Sequence, residues 1–261
     1  MNSTTSDKKQ NAIHEWSKTN FGHSLLAVEQ TEINKILPLF SGNYLAKIGG
    51  PKHNAFLHNS PIRQKIYLTT DASQHINHHH STKNIIECAY NALPLSPESI
   101  DVALVHHVLE FEQNPHLILE EISKTLIPQG HIIIIGFNPK SLFGLQHYFT
   151  KNINANFTKF KQTNCISATR IKNWLEQLNF VITTHLTCYF RPHSQNATLL
   201  QTLQPLEKIG GLMRINCGAC YILVAQKKLL GVTQIENHVL SKHLSFGYLK
   251  PSAPVNRSQT Q

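Results

Sequence analysis

The chain has 261 residues, is 41% hydrophobic and carries a formal charge of +9. That length supports one large α/β domain with a sizeable core, or two small ones. No apolar stretch approaches the roughly 20 residues of a membrane helix, and the odd count of 5 cysteines speaks against a disulfide framework.

The start, MNSTTSDKKQ, is polar and lacks the apolar core of a signal peptide. This points to a cytoplasmic protein. Residues 1–12 read as a disordered N-terminus. Ile13 to Leu39 reads as a helix, with Leu25, Leu26, Val28, Ile33, Ile36 and Leu37 marking its apolar faces. Tyr44 to Ile48 reads as the first strand, followed by a Gly49-Gly50-Pro51 turn. Gln64 to Leu68 reads as the second strand, with Asp71 just beyond it. His75, His78, His79 and His80 form a histidine-rich tract. Such tracts can bind metal, but this one lies in a polar connection without cysteine ligands. It reads as a solvated loop, and no metal is expected. Asn84 to Ala89 reads as the third strand.

Asp101 precedes the apolar run Val102-Ala103-Leu104-Val105, which suits a strand buried on both faces. Asn114 reads as an N-cap with Pro115 at the first helical position. Ile118, Leu119, Ile122 and Leu126 fall on one helical face, and Pro128 and Gly130 are expected to stop the helix. His131 to Phe137 reads as a second buried strand. Strand, crossover helix and strand make a right-handed βαβ unit in a parallel sheet.

Residues 140–161 have weak periodicity, with Phe143, Tyr148, Phe149, Phe157 and Phe160 among Lys151, Lys159 and Lys161. The segment reads as a lid or insertion, and it is the most nucleic-acid-like feature of the chain. Elsewhere the basic residues are scattered, so a nucleic-acid partner is a minor reading. Ser167 reads as the cap of a helix carrying Ile171, Trp174, Leu175 and Leu178 inward, with a strand from Phe180. Cys217-Gly-Ala-Cys220 is a lone CxxC, and Cys220 reads as a small hydrophobe opening the last strand, Gly218 to Ala225. Residues 228–261 read as a C-terminal extension, partly disordered.

Several of these segments, at their spacings, resemble class I S-adenosylmethionine-dependent methyltransferases. They are Leu93-Pro94-Leu95, Ser99-Ile100-Asp101-Val102-Ala103, His106-His107-Val108-Leu109-Glu110 and Lys124-Thr125-Leu126-Ile127-Pro128-Gln129-Gly130. Gln129 stands where the family usually has glycine. The run from Ser167 to Ile182 resembles the family's segment after its fifth strand. The resemblance spans Tyr44 to Lys227, within a domain drawn at 13–227. It implies a Rossmann-like seven-stranded, mostly parallel α/β sheet with helices on both faces and an antiparallel last strand.

The resemblance also implies S-adenosylmethionine as cofactor and a methyltransferase of bacterial type, acting on a small-molecule acceptor. Ile48, Gly49 and Gly50 would form the cofactor turn, Asp71 would accept the ribose hydroxyls, and Ala89 and Tyr90 would flank the adenine. The family's acidic residue in the first strand is replaced by Lys47, its second glycine by Pro51 and its third by His53. Ala89 stands where an aspartate is common. His106 and His107 end a central strand, where ligands sit in open α/β sheets, and are the candidate catalytic residues. Strand alternation should turn one toward the cleft and pack the other. Two other readings stay open: a catalytically inactive binding or regulatory protein on the same scaffold, and an RNA-modifying methyltransferase.

Overall fold

The computed structural model describes residues 16–50, 54–70, 84–141, 143–145, 164–191, 202–203 and 217–229. All of them belong to the unit Met1–Leu229. Helix α1 (Asn20–Ile36) is opened by Thr19, whose side chain accepts the Gly22 N–H at 3.0 Å and so satisfies an otherwise orphaned donor of the first turn. Phe21, Leu25, Glu29 and Ile33 recur every four residues and are all buried, as one stripe of an amphipathic helix should be.

The strands are β1 (Tyr44–Ile48), β2 (Gln64–Thr69), β3 (Ile85–Glu87), β4 (Ile100–His106), β5 (Leu126–Phe137), β6 (Phe180–Cys188) and β7 (Cys220–Lys227). They form one seven-stranded sheet in the order β3-β2-β1-β4-β5-β7-β6. β7 runs antiparallel to both β5 and β6, and the pairs from β3 through β5 are parallel. The expected architecture is therefore the observed one. Asp101 sets the β1–β4 register at its start: its Oδ2 accepts the N–H groups of Asn43 at 2.9 Å and Tyr44 at 2.8 Å.

Helix α2 (Pro115–Thr125) is the crossover between β4 and β5, and α3 (Ala168–Gln177) precedes β6. Asn114 sits at the α2 N-cap, but its side chain makes no capping bond; Ser167 caps α3 by accepting from Arg170 N–H. Helix α2 ends at Thr125, earlier than Pro128 and Gly130 suggest, because Leu126 is already extended and pairs with Ile100. Proline disfavours a helical residue before it, so the chain turns to strand ahead of the proline rather than at it. Gln129 has φ 64°, a left-handed conformation that explains why glycine is usual there.

The core divides between the two sheet faces. On one, α1 with Trp16 and Phe56 covers Leu45, Leu104, Ile135 and Ile222. On the other, α2 and α3 cover Ala46, Ile48, Val105, Ile134 and Leu223. Among the described residues no helix is long and apolar enough to cross a membrane. Asp71, Pro51, His53, the histidine tract and most of the 140–161 segment lie outside the described residues.

Candidate functional site

β1 and β4 are neighbours in the sheet, while their chain continuations lead to different faces. The gap beyond their carboxyl ends is therefore a switch point of the kind where α/β sheets bind ligands. β1 ends in Gly49 at φ 66° and Gly50 at φ 78°, a region that suits glycine and strains other residues. A Cβ on Gly49 would overlap Val108 Cγ2 and lie 3.2 Å from Tyr90 Oη; one on Gly50 would lie 2.5 Å from His106 Nδ1. The turn thus presses its bare α-carbons against the end of β4, Val108 just beyond it and Tyr90 in the loop after β3. Ile48 is buried beneath it, Tyr90 is buried beside it, and Ala89 is exposed.

Lys47 occupies the β1 position where the family resemblance leads one to expect an acid. It is buried, and its Nζ donates to the Gly49 carbonyl at 3.1 Å. The Phe56 ring lies 5.9 Å from the ammonium. Burial lowers the Lys47 pKa to about 8.

The two histidines at the end of β4 do not alternate. His107 has φ 48°, which breaks the strand and swings its ring to the same side as His106. Both then meet Glu29 of α1. His106 Nε2–H donates to Glu29 Oε2 at 2.9 Å, and His107 Nε2–H donates to Glu29 Oε1 at 2.9 Å. His107 Nδ1–H donates to Glu110 Oε1 at 3.2 Å, and the same oxygen accepts the Phe137 N–H at 2.8 Å. All of these side chains are sealed from solvent. The expectation that one histidine packs while the other faces the cleft is replaced by a shared anchor.

Their protonation differs. Burial opposes charge on His107, but the carboxylates of Glu29 and Glu110 outweigh it and raise its pKa to about 10. Burial lowers that of His106 to about 4, only partly offset by its bond to Glu29. Burial would raise the Glu29 carboxyl, yet the His107 charge and the two histidine bonds hold it well below the usual range. His107 is therefore a cation with both nitrogens donating. It has no lone pair left to take a proton. His106 is neutral, and its Nδ1 is buried with no hydrogen-bond partner among the described residues. The His107 ring stacks on Phe137 with centroids 4.1 Å apart, and Trp16 closes over both.

The donor atoms of Glu29, His107 and Cys220 lie within 4.8 Å of one another. They do not make a ready ion site, because His107 uses both nitrogens in bonds to carboxylates. Cys220 is a buried free thiol and Cys217 an exposed one. Beyond Glu110, a cavity of about 830 Å3 opens between the starts of α2 and α3. Its wall includes Asn114, His116, Cys165, Arg170 and Trp174, with the Arg170 guanidinium 5.0 Å from the Trp174 ring.

Glu29 was not among the residues singled out from sequence. Its signal was present: a carboxylate on the apolar stripe of an amphipathic helix, four residues from Leu25 and four from Ile33.

The methyltransferase-domain profile matches residues 63–134, a stretch that runs from β2 through α2 into β5. The structure is similar to an S-adenosylmethionine-dependent methyltransferase of Thermotoga maritima, a possible histamine N-methyltransferase, with a TM-score of 0.62 and 16% identity over 86% of this chain and 100% of that one. The match to the methyltransferase-domain family covers residues 63–134, and the fold is that of class I methyltransferases. The fold is also similar to that of geranyl diphosphate methyltransferase in complex with S-adenosylmethionine, with a TM-score of 0.52 and 13% identity over 77% of this chain and 84% of that one. The uncharacterized protein YafS of Escherichia coli is 30% identical over 152 residues, covering 54% of each chain. The chain spans about half the length of the curated relatives it matches.

Proposed function

We propose that the protein binds S-adenosylmethionine over the β1–β4 gap and transfers its methyl group to a small molecule. The observation that carries this reading is the buried, unpartnered Nδ1 of His106 against the bare α-carbon of Gly50. An unpaired buried acceptor is costly, and a ligand at the glycine turn would satisfy it. S-adenosylmethionine supplies an electrophilic methyl group on a sulfonium that already leaves well. The protein's contribution is then proximity and orientation.

Of the two histidines, His106 is the one with a lone pair to offer. A base this weak still suits an acceptor that becomes strongly acidic once methylated, such as a hydroxyl or a neutral amide-type nitrogen. His107 and Glu29 serve as positioning groups: Glu29 fixes the His106 tautomer and ring plane from α1. The cavity of about 830 Å3 beside the starts of α2 and α3 is of small-molecule size, which favours a small acceptor over a polymer. Asp71 at the ribose, with Ala89 and Tyr90 near the adenine, completes the cofactor site on this reading.

A second reading, a binding or regulatory protein without methyl transfer, is favoured by two features. Lys47 brings a cation to a site whose ligand carries a sulfonium, and Val108 and Tyr90 crowd Gly49. The RNA-modifying alternative rests on the basic charge of the chain and on the 140–161 segment. Calorimetry with S-adenosylmethionine and S-adenosylhomocysteine decides the cofactor question. Saturable binding of both supports the proposal, and the lack of any heat at excess ligand removes it.

A further inference from the structure

The cavity of about 830 Å3 has a chemical character of its own. Glu112 to His116 in its wall follow β4, and Pro139 follows β5. It therefore opens beyond the carboxyl ends of these two parallel strands, and β1 with its glycine turn is next in the sheet order. Trp174 is the flat, half-buried element of the lining. The Arg170 guanidinium lies 5.0 Å from its ring centroid, and the His116 ring lies at 6.3 Å. Among the described residues Arg170 makes no ion pair and no side-chain hydrogen bond. An indole holds a guanidinium through its face without using the N–H donors, so all five stay available to a ligand. Asn114 stands at the N-cap of α2 without capping it, and it too lines the cavity.

We propose that this cavity takes an aromatic carboxylate: Arg170 pairs with the carboxylate, the Asn114 amide donates a further N–H, and the ring lies among Trp174, His116 and Leu145. A neutral ring would leave the guanidinium unused. A carboxylate matches its fork with two parallel bonds. Glu112 is the one acid of the described lining, and its negative charge penalises a dianionic phosphate ester more than a monoanion. This rests on the reading of the cavity as the acceptor site of a methyltransferase. The carboxylate is then the anchor, and a hydroxyl or nitrogen elsewhere on the acceptor receives the methyl group.

The test titrates the full chain with benzoate, its neutral isostere benzamide, phenyl phosphate and cyclohexanecarboxylate by ligand-observed NMR, with and without S-adenosylhomocysteine. The wild type should bind benzoate at least about threefold more tightly than benzamide, the modest preference of a solvent-exposed ion pair. It should also bind benzoate more tightly than phenyl phosphate or cyclohexanecarboxylate. Arg170→Met should abolish the preference over benzamide without weakening benzamide, and Arg170→Lys should keep part of it as a point charge. Arg170 is exposed on α3, and a melting curve of each variant checks that it folds. Four results overturn the proposal: no saturable benzoate binding, equal affinity for acid and amide, binding of phenyl phosphate or cyclohexanecarboxylate as tight as that of benzoate, or an undiminished preference in folded Arg170→Met. The methyl-transfer reading fails separately. If S-adenosylhomocysteine gives no heat in calorimetry that reading is removed, while an Arg170-dependent preference for benzoate still supports the carboxylate site.

Discussion

Glu29 Oε1 and His107 Nε2 lie 2.9 Å apart with no solvent access to either side chain. One residue belongs to α1 and the other ends β4. The pair therefore ties the helix covering one sheet face to the carboxyl end of β4. The His107 cation also faces a second carboxylate, Glu110. Removal of one member strands the rest.

Glu29→Gln keeps the shape and one acceptor but leaves the His107 cation short of a carboxylate. A broken buried pair typically costs about 3–5 kcal/mol. Chemical denaturation should show a loss at the lower end of that range, because Glu110 remains. A loss below about 1 kcal/mol would mean that the pair contributes no more than an ordinary neutral hydrogen bond.

Gly49 is held by contact with its own chain as well as by any ligand. Its φ of 66° and the overlap of a Cβ with Val108 Cγ2 both penalise Gly49→Ala. The expected loss is about 1–3 kcal/mol of stability. Val108→Ala in the same chain should recover the steric part, so the two changes are non-additive in a double-mutant cycle. Additive losses would show that backbone strain alone is responsible.

Much of the fold was legible in the sequence. The resemblance around Leu93 to Pro128 implies a seven-stranded, mostly parallel sheet with an antiparallel last strand, and the structure reproduces it. The starts of β1, α2 and α3 fall where the sequence signals place them. The end of α2 was misplaced because strand pairing of Leu126 with Ile100 outcompetes one more helical turn. The site was less legible. Alternation predicts opposite directions for His106 and His107, and only the positive φ of His107 brings both to Glu29. Nothing in a linear reading ties a helix residue to a strand end 77 positions away. Lys47 was noticed as a departure from the family, but its bond to the Gly49 carbonyl required coordinates.

Tyr221 Oη on β7 is buried and has no hydrogen-bond partner among the described residues. It lies by Gly136, where a Cβ would also come within 3.0 Å of Glu110 Oε1. An unsatisfied buried hydroxyl costs stability. Tyr221→Phe should therefore leave the melting temperature unchanged or raise it, by up to about 1 kcal/mol in stability. A loss above about 1 kcal/mol would reveal a water or side chain bonded to that hydroxyl.

The buried charges also set how stability varies with pH. His107 has a folded pKa raised to about 10. Its contribution is complete below its unfolded value of about 6.5 and is lost as pH climbs through about 10. His106, lowered to about 4, works the other way. It stays neutral in the fold while the unfolded chain takes a proton, so stability falls as pH drops below about 6.5. His131 and His185, both lowered chiefly by burial, act in the same direction. Glu29, held low, adds a further loss below about 4.5. These groups place the maximum near pH 6.5. Above it, the decline from His107 should approach its limit of about 1.4 kcal/mol per pH unit. Lys47, lowered to about 8, then intervenes: from about pH 8 the unfolded chain holds a proton that the fold has released, which favours the fold as pH rises. The two slopes oppose, so stability should level between about pH 8 and 10. In Lys47→Met the levelling should vanish and the decline should run on to about pH 10. Denaturation midpoints measured from pH 4 to 10 on both proteins check this, and identical profiles above pH 8 would show that the Lys47 ammonium is not held at a lowered pKa in the fold.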